Sequence, residues 1–227
     1  TGSWNVALGK DALGATDVGA YNVAVGGQAM LNNVDGSRNT ALGYGTLQNM
    51  DPASAVDTYN IAVGFNAGLS VSTGVENILI GGLTGDALTT GQYNVAVGFE
   101  AMLVETQGDR NTAVGYQALK DQNGVNGEVH NTAVGYIAGH NITTGKSNTV
   151  LGSEAGTALT TASQSICIGR TAGNTISTGN QNIAVGFGAM SNNTVTGDNN
   201  ISIGTNAGDN LTSGKLNVAI GYVAGDA

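Results

Sequence analysis

The stretch Asn111-Thr-Ala-Val-Gly-Tyr-Gln-Ala-Leu119 decides the fold, because near copies of it recur along the whole chain, usually 17 residues apart. A short period that runs from end to end predicts a stack of equivalent units in place of ordinary globular domains. We therefore expect residues 1–227 to form a single repeat domain that is a fragment of a longer fibrous surface protein. The copies begin at Asn5, Asn22, Asn39, Asn60, Asn77, Asn94, Asn111, Asn131, Asn148, Ser165, Asn182, Asn200 and Asn217.

The fifth position of every copy, counted from this first residue, is glycine. A glycine that returns at a fixed phase indicates a bend with positive φ, or a backbone that passes too close for a Cβ atom. The thirteen predicted structural turn residues are Gly9, Gly26, Gly43, Gly64, Gly81, Gly98, Gly115, Gly135, Gly152, Gly169, Gly186, Gly204 and Gly221.

Positions 2 and 4 of each copy carry Val, Ile, Leu or Thr. Side chains two residues apart point to the same face of a strand, so the pattern predicts a short β-strand with one packed face formed by these positions. Position 3 is mostly Ala and position 8 is nearly always Ala. We therefore expect a second backbone layer close by, and an Ala-rich surface through which copies of the chain associate.

A shorter apolar segment and a Thr-Thr-Gly corner complete many copies, as in Leu88-Thr-Thr-Gly91. Two short strands and two turns in each repeat predict an all-β parallel β-roll or β-solenoid of about thirteen 17-residue coils. The aligned Asn side chains are then expected to hydrogen-bond along a column. Extra residues near Pro52 and Gly124 are expected to bulge from the coil as loops that contact a ligand.

The charge of the chain excludes two classes of partner. Sixteen Asp and Glu residues against seven Lys and Arg residues give a net charge of -9, distributed along the whole length. Nucleic acids and anionic membranes both require a basic face, so we expect no nucleic acid partner. No apolar run approaches the roughly 18 residues of a membrane span, so we expect no membrane insertion by this segment.

Catalytic and metal chemistry find little support in the sequence. His130 and His140 occupy different positions of neighbouring copies, and no nucleophile or second metal ligand stands at a usual spacing from them. Cys167 stands where most other copies have Ala, which indicates a small buried residue. We therefore predict no enzyme, no catalytic residue, no metal site and no cofactor.

The residue just before each aligned first position forms a column that we call the ladder. In the first eight copies the ladder carries rings and charged groups, which are suited to contacting sugar rings and hydroxyls. The alternative is that its Tyr and Arg side chains stack on one another and only protect the side of the coil. The candidate ligand-binding residues are Trp4, Tyr21, Arg38, Tyr59, Tyr93, Arg110 and His130.

Two further columns carry hypotheses of their own. Phe and Tyr interchange directly after the invariant glycine, as at Tyr44 and Phe65, which favours packing or a subunit contact over recognition. Thr/Ser pairs, such as Thr89-Thr90 and Thr143-Thr144, form a partial hydroxyl array, so ice binding is an alternative function. The interruption of the array at residues 105–107 counts against that alternative.

The motif Asn-(Val/Ile/Thr)-Ala-(Val/Ile/Leu)-Gly-x-x-Ala resembles the head repeats of trimeric autotransporter adhesins. The form Asn-Thr-Ala-Val-Gly-Tyr-x-Ala, at Asn111 and Asn131, is similar to repeats of phage tail-fibre and bacterial surface proteins. The resemblance covers the whole chain and implies a left-handed parallel β-roll, a homotrimer and an extracellular location on a cell surface or virion tail fibre. The 17-residue period and the Thr-Thr-Gly corners depart from the adhesin pattern, which leaves the carrier open.

From these observations we expect the head or shaft of an attachment fibre, with a structural or adhesive role. Its ligand would be a surface glycan or a host protein, bound through many weak contacts along the repeats. A purely structural spacer and an ice-binding solenoid stay open as alternatives.

Overall fold

The computed structural model describes residues 2–123 and 127–225, and these form an all-β structure. The chain divides into two compact units, Thr1–Asn111 with Val125–Glu128 and Thr112–Gly124 with Val129–Ala227. Each three-residue strand occupies positions 2 to 4 of one repeat. Across the residues that the structure describes, no helix has the length and apolar character needed to cross a membrane.

The first unit contains six parallel strands in consecutive repeats and two pairs of two-residue strands, counted over its described residues. The pairs are β3 (Gly36–Ser37) with β5 (Val56–Asp57), and β9 (Gly108–Asp109) with β11 (Gly127–Glu128). The six longer strands are β1 (Val6–Leu8), β2 (Val23–Val25), β4 (Thr40–Leu42), β6 (Ile61–Val63), β7 (Ile78–Ile80) and β8 (Val95–Val97).

The second unit contains seven parallel strands over its described residues. Outside these strands, a parallel bridge joins Ile176 of one coil to Val195 of the next coil. The seven strands are β10 (Thr112–Val114), β12 (Thr132–Val134), β13 (Thr149–Leu151), β14 (Ile166–Ile168), β15 (Ile183–Val185), β16 (Ile201–Ile203) and β17 (Val218–Ile220).

The strands of consecutive repeats pair in phase. Val6 is opposite Val23 in the first unit, and Ile166 is opposite Ile183 in the second, so each position faces the same position of the next repeat. The predicted parallel β-solenoid is therefore confirmed. The thirteen three-residue strands of the described chain correspond to about twelve turns, because one turn runs from each of these strands to the next.

The face of each strand that lies inside the coil is the opposite of the predicted one, which was the face formed by positions 2 and 4. Ala24, Ala41 and Ala184, at position 3, are fully buried, whereas no residue at position 2 or 4 is buried. Alternation along a strand places neighbours on opposite faces without saying which face is inside. The flat coil accommodates the small methyl groups and turns the larger aliphatic side chains outwards. The prediction of an Ala-rich association surface is therefore wrong, and the outward surface is an aliphatic face formed by positions 2 and 4.

Two forms of the repeat fill this interior in different ways. Repeats with Leu or Met at position 9 have Ala at position 3, whereas Leu79 and Val150 stand at position 3 of repeats with Gly at position 9. A Cβ atom on Gly85 would lie 2.9 Å from Cδ2 of Leu79, and one on Gly156 would lie 3.2 Å from both Cγ atoms of Val150. The two positions therefore share one volume, as close packing requires.

The invariant glycines satisfy both conditions that the sequence indicated. Their φ angles lie between 125° and 142°. A Cβ atom on Gly152 would also lie 2.6 Å from the carbonyl oxygen of Gly169 in the next repeat. Successive coils therefore approach each other through bare backbone at this turn.

The predicted Asn column is confirmed. Oδ1 of the buried Asn77 accepts hydrogen bonds from the backbone nitrogen of Asn94 (3.0 Å) and from its Nδ2 (3.1 Å). Nδ2 of Asn77 donates to the carbonyl oxygen of Gly91 (2.9 Å) and to Oδ1 of Asn60 (3.1 Å). Each amide thus satisfies backbone groups that would otherwise be buried without a partner.

We expect Asn77→Ala to lower the free energy of unfolding by about 2–3 kcal/mol, because it leaves the buried Asn94 nitrogen and Gly91 carbonyl unpaired. Chemical denaturation at fixed chain concentration measures the loss. Asn77→Ser is the matched control, since Ser165 holds this position naturally and its Oγ accepts from the nitrogen of Asn182 at 3.3 Å. The serine variant should lose less, and an alanine variant as stable as the wild type would contradict the role of the Asn column.

Candidate functional site

The ladder residues share one backbone conformation. Arg38 has a φ of 64° and Tyr59 a φ of 50°, both in the left-handed region. The backbone nitrogen of Arg38 donates to the carbonyl oxygen of Ala20 (2.9 Å) and that of Arg110 to the carbonyl oxygen of Gln92 (3.0 Å), so each of these two ladder residues is tied to the repeat before it. Ser147 and Gln164 have the same positive φ without a ring or charge, so this conformation belongs to the coil and not to a ligand site.

Arg38 joins two tyrosines and one carboxylate. Its guanidinium carbon lies 4.9 Å from the ring centroid of Tyr21 and 5.8 Å from that of Tyr59, and its Nε lies 2.8 Å from Oδ2 of Asp57. The hydroxyl of Tyr59 donates to the same Asp57 oxygen at 3.3 Å. The hydrogen bond to Asp57 raises the pKa of Arg38, which keeps the guanidinium charged.

Arg110 forms a second cluster of the same kind in the first unit. Its guanidinium carbon lies 5.4 Å from the ring centroid of Tyr93, and it is paired with the carboxylate of Glu128. The carboxylates of both clusters were not predicted from the sequence. Asp57 lies in β5 and Glu128 in β11, at the ends of the two long insertions, and these strands place each of them beside an arginine. An acidic residue 18 or 19 positions after each ladder arginine is the signal that was available.

The structure brings together five of the seven candidate ligand residues, in two clusters. Tyr21, Tyr59 and Tyr93 have exposed fractions of 51%, 49% and 44%, so part of each ring meets solvent although it also contacts an arginine. Trp4 is 79% exposed in the first repeat. His130 is exposed and belongs to the second unit. The stacking of Tyr and Arg side chains, which was the alternative to a ligand site, is thus present. Part of each tyrosine ring is nevertheless accessible to a ligand.

The two predicted ligand loops differ from the ladder. Pro52 is buried, and residues 53–55 beside it are exposed, so these neighbours carry the accessible surface of that loop. Gly124 lies outside the described residues.

The second aromatic column packs ring against ring. Tyr44 stacks on Phe65 in the first unit at a centroid distance of 5.8 Å, and Tyr116 stacks on Tyr136 in the second unit at 5.4 Å. All four rings are nevertheless exposed on one side. The column therefore leaves stacked aromatic rings partly exposed to solvent in the single chain.

The aliphatic face runs along each unit at positions 2 and 4 of the repeats. In β6 and β7 of the first unit, Ile61 and Ile80 are exposed and Val63 and Ile78 are half-buried. In the second unit, Leu151 and Ile203 are exposed. Parallel pairing in phase sets these side chains in continuous files along each unit. Single exposed aliphatic residues are ordinary on a soluble protein, whereas continuous files are typical of surfaces that become covered.

Cys167 and His140, both in the second unit, lie in different surroundings. Cys167 is fully buried, and burial raises the pKa of its thiol to about 12, so almost no thiolate forms near neutral pH. Nδ1 of His140 lies 3.6 Å from Oδ2 of Asp121 and 2.7 Å from Oδ1 of Asn141. Among the described residues, no three His, Cys, Asp or Glu side chains are grouped so that they could hold a metal ion.

Comparison of the chain with family models, with curated protein sequences and with solved structures returned no match.

Proposed function

We propose that this chain is the head or shaft of a trimeric extracellular attachment fibre, either a cell-surface adhesin or a phage tail fibre. The observation that carries the proposal is the aliphatic face. In a single chain this face leaves residues such as Leu42, Ile61 and Leu151 in water. Burial against other copies would recover about 25 cal/mol for each Å² of apolar surface removed from water.

The thin interior of the coil favours the same assembly. Besides one or two larger apolar side chains per repeat, mainly at positions 3, 9 and 12, the coil encloses mainly Ala side chains such as Ala29 and Ala118. A core of this kind supplies little hydrophobic stabilisation for the surface it has to support. Three copies that pack their aliphatic faces together would supply the missing core. The number three and the left-handed coil are what the resemblance to trimeric adhesins implies.

Attachment would use the outward-facing ladder. Its half-exposed tyrosines suit a surface glycan or a host protein, and three copies in parallel would convert weak single contacts into useful avidity. The net charge of -9 disfavours nucleic acid as a partner. We assign no catalytic step, no cofactor and no membrane insertion to this segment.

Replacement of Tyr21, Tyr59 and Tyr93 together by Ala separates attachment from a spacer role. We expect binding to a glycan array to fall about tenfold or more, because three ring contacts of about 0.5–1.5 kcal/mol are lost in each copy. Circular dichroism and solution mass should stay unchanged. Gln164→Ala with Gln181→Ala, two ladder positions without rings, is the matched control. Equal retention of both variants on the array would contradict glycan binding by the ladder, and would leave a host-protein ligand or a purely structural spacer.

Ice binding is the second candidate, and one observation favours it. Thr144, Thr161 and Thr178 are exposed in three consecutive repeats of the second unit. The Oγ1 of Thr143 and that of Thr160 each donate to a carbonyl of the next repeat (3.1 Å in both cases), which holds this corner regular. A single file of three is small for a flat ice-binding face. Thermal hysteresis at micromolar protein that Thr144→Tyr abolishes would raise this candidate above attachment.

A further inference from the structure

The ladder of the first unit alternates rings with charges, and one of its charged positions differs from the others. Arg38 and Arg110 each stack on a tyrosine, whereas Glu76 carries a negative charge between two tyrosines. The electron-rich face of an aromatic ring attracts cations and disfavours a carboxylate. The consecutive members from Tyr21 onwards are Tyr21, Arg38, Tyr59, Glu76, Tyr93 and Arg110.

The molecule itself shows what fits between two ladder tyrosines. Arg38 lies between Tyr21 and Tyr59, which are two repeats apart, and its guanidinium carbon is within 6 Å of both ring centroids (4.9 and 5.8 Å). Two strand spacings are roughly 9.6 Å, which leaves room for one planar cation. Asp57 completes the arrangement by pairing with the cation from the side.

Tyr59 and Tyr93 stand on either side of Glu76 in the ladder, two repeats apart, as Tyr21 and Tyr59 stand on either side of Arg38. The backbone nitrogen of Glu76 donates to Thr58 (2.7 Å) and that of Tyr93 donates to Val75 (3.1 Å), so the three ladder residues belong to consecutive coils. Arg38 contacts Tyr59 from the preceding repeat, and Arg110 contacts Tyr93 from the following repeat. Each of these two tyrosines thus has an arginine on the side away from Glu76, and Glu76 is the ladder residue between them.

Glu76 has no ion pair within the part of the chain that the structure describes. Its side chain is exposed and lines an open cleft of about 440 Å³ together with Tyr59, Ile61 and Ile78. In the assembled fibre Ile61 and Ile78 belong to the covered aliphatic face, so the part of this cleft that stays open combines the aromatic wall of Tyr59 with the unpaired carboxylate of Glu76. We call it the Glu76 slot.

We propose that the Glu76 slot binds an arginine side chain of a basic partner protein. The guanidinium would lie between the rings of Tyr59 and Tyr93 and pair with the Glu76 carboxylate. Arginine suits the gap better than lysine, because a planar guanidinium stacks on a ring while it pairs with a carboxylate.

The charge of the chain indicates that the arginine comes from a different protein. Only seven Lys and Arg residues stand against sixteen Asp and Glu residues. Several of these cations are already engaged within the chain: Arg38 with Asp57, Arg110 with Glu128, Lys215 with Asp198 and Arg170 with the ring of Phe187. An acidic chain also attracts a basic partner at long range. The inference deepens the proposed attachment function by naming the chemistry of its ligand, and it rests on that function for an exposed ladder.

The test is a titration of the assembled wild-type chain with the peptide acetyl-Gly-Arg-Gly-amide, followed through the ring proton shifts of Tyr59 and Tyr93. Its twin with citrulline in place of arginine has the same shape without the charge. We expect the arginine peptide to shift both rings and the citrulline peptide to bind about tenfold more weakly. Glu76→Gln should weaken the arginine peptide by about the same factor. Equal binding of the two peptides, or binding that Glu76→Gln leaves unchanged, would overturn the proposal.

Two further variants complete the experiment. Glu76→Arg places an internal guanidinium in the slot, so it should abolish peptide binding and raise Tm by about 2 °C. Glu154→Gln removes the same charge in the second unit and should leave the titration unchanged. Trimer mass and glycan-array binding are read separately on the same samples. If the titration fails while the trimer mass and glycan binding are intact, the result contradicts the Glu76 slot alone. If the measured mass is that of a single chain, the result contradicts the proposed fibre.

Discussion

Gly152→Ala is expected to lower the free energy of unfolding by about 4 kcal/mol, the largest single-residue effect on stability that we predict. At a φ of +135° an alanine costs about 1–2 kcal/mol in backbone strain. Its Cβ atom would also lie 2.6 Å from the carbonyl oxygen of Gly169, which is backbone and cannot rotate away. The next coil must shift, and the strand pairing of Leu151 with Ile168 shifts with it.

Gly127→Ala is the matched control for this prediction. Gly127 also has a positive φ, +104°, but an added Cβ atom would meet nothing within 4 Å. The control should therefore lose only the strain component, about 1–2 kcal/mol. Urea denaturation at equal chain concentration compares the two variants. A loss for Gly152→Ala no larger than that for Gly127→Ala would mean that neighbouring coils do not stack through this turn.

Ile183→Lys is expected to convert a trimer to single chains, the largest effect on assembly that we predict. Ile183 lies on the aliphatic face between Ile166 and Ile201 of the neighbouring strands. It is only half-buried in the single chain, so a lysine there is tolerated by the isolated coil. In a trimer that packs its aliphatic faces together, three unpaired ammonium groups would be buried at one level, at a cost of several kcal/mol each.

Thr161→Lys is the matched control for the aliphatic face. Thr161 is exposed in the second unit and lies outside positions 2 and 4, so the same charge should leave assembly unchanged. Light scattering on a sizing column gives the mass of both variants. Identical masses for Ile183→Lys, Thr161→Lys and the wild type would show that the aliphatic face is not an interface.

The periodic part of the fold could be predicted from the sequence because each repeat restates the same constraints. The phase of the strands, the turn at Gly152 and the column through Asn77 and Asn94 all follow from residues that recur at one position. Parallel pairing in phase then places identical residues above one another. Because the pattern recurs in thirteen copies, an irregular residue in one copy does not obscure the phase that the other copies share.

The side of the strand that faces the interior could not be predicted from periodicity alone. Both faces carry apolar residues, so the alternation of Val23, Ala24 and Val25 is equally consistent with either side being inside. The sequence does hold one signal for the inner face, which is the coupling between positions 3 and 9. Leu79 occurs with Gly85, whereas Ala24 occurs with Met30, which indicates that the two positions fill one shared volume.

The candidate site was predicted only in part, for a different physical reason. The ladder tyrosines and arginines recur at one position and were found by that recurrence. Their partners Asp57 and Glu128 come from insertions, whose register the period does not fix. The proposal of the Glu76 slot required the observed stacking of Arg38, because only that contact shows what fits between two ladder tyrosines.

The central claim is that three copies of this chain bury their aliphatic faces together. The most direct test is the solution mass of the wild-type chain by light scattering over a range of concentrations. We predict a mass three times the 22.6 kDa of one chain, constant down to micromolar concentration. A constant mass of 22.6 kDa would contradict the claim.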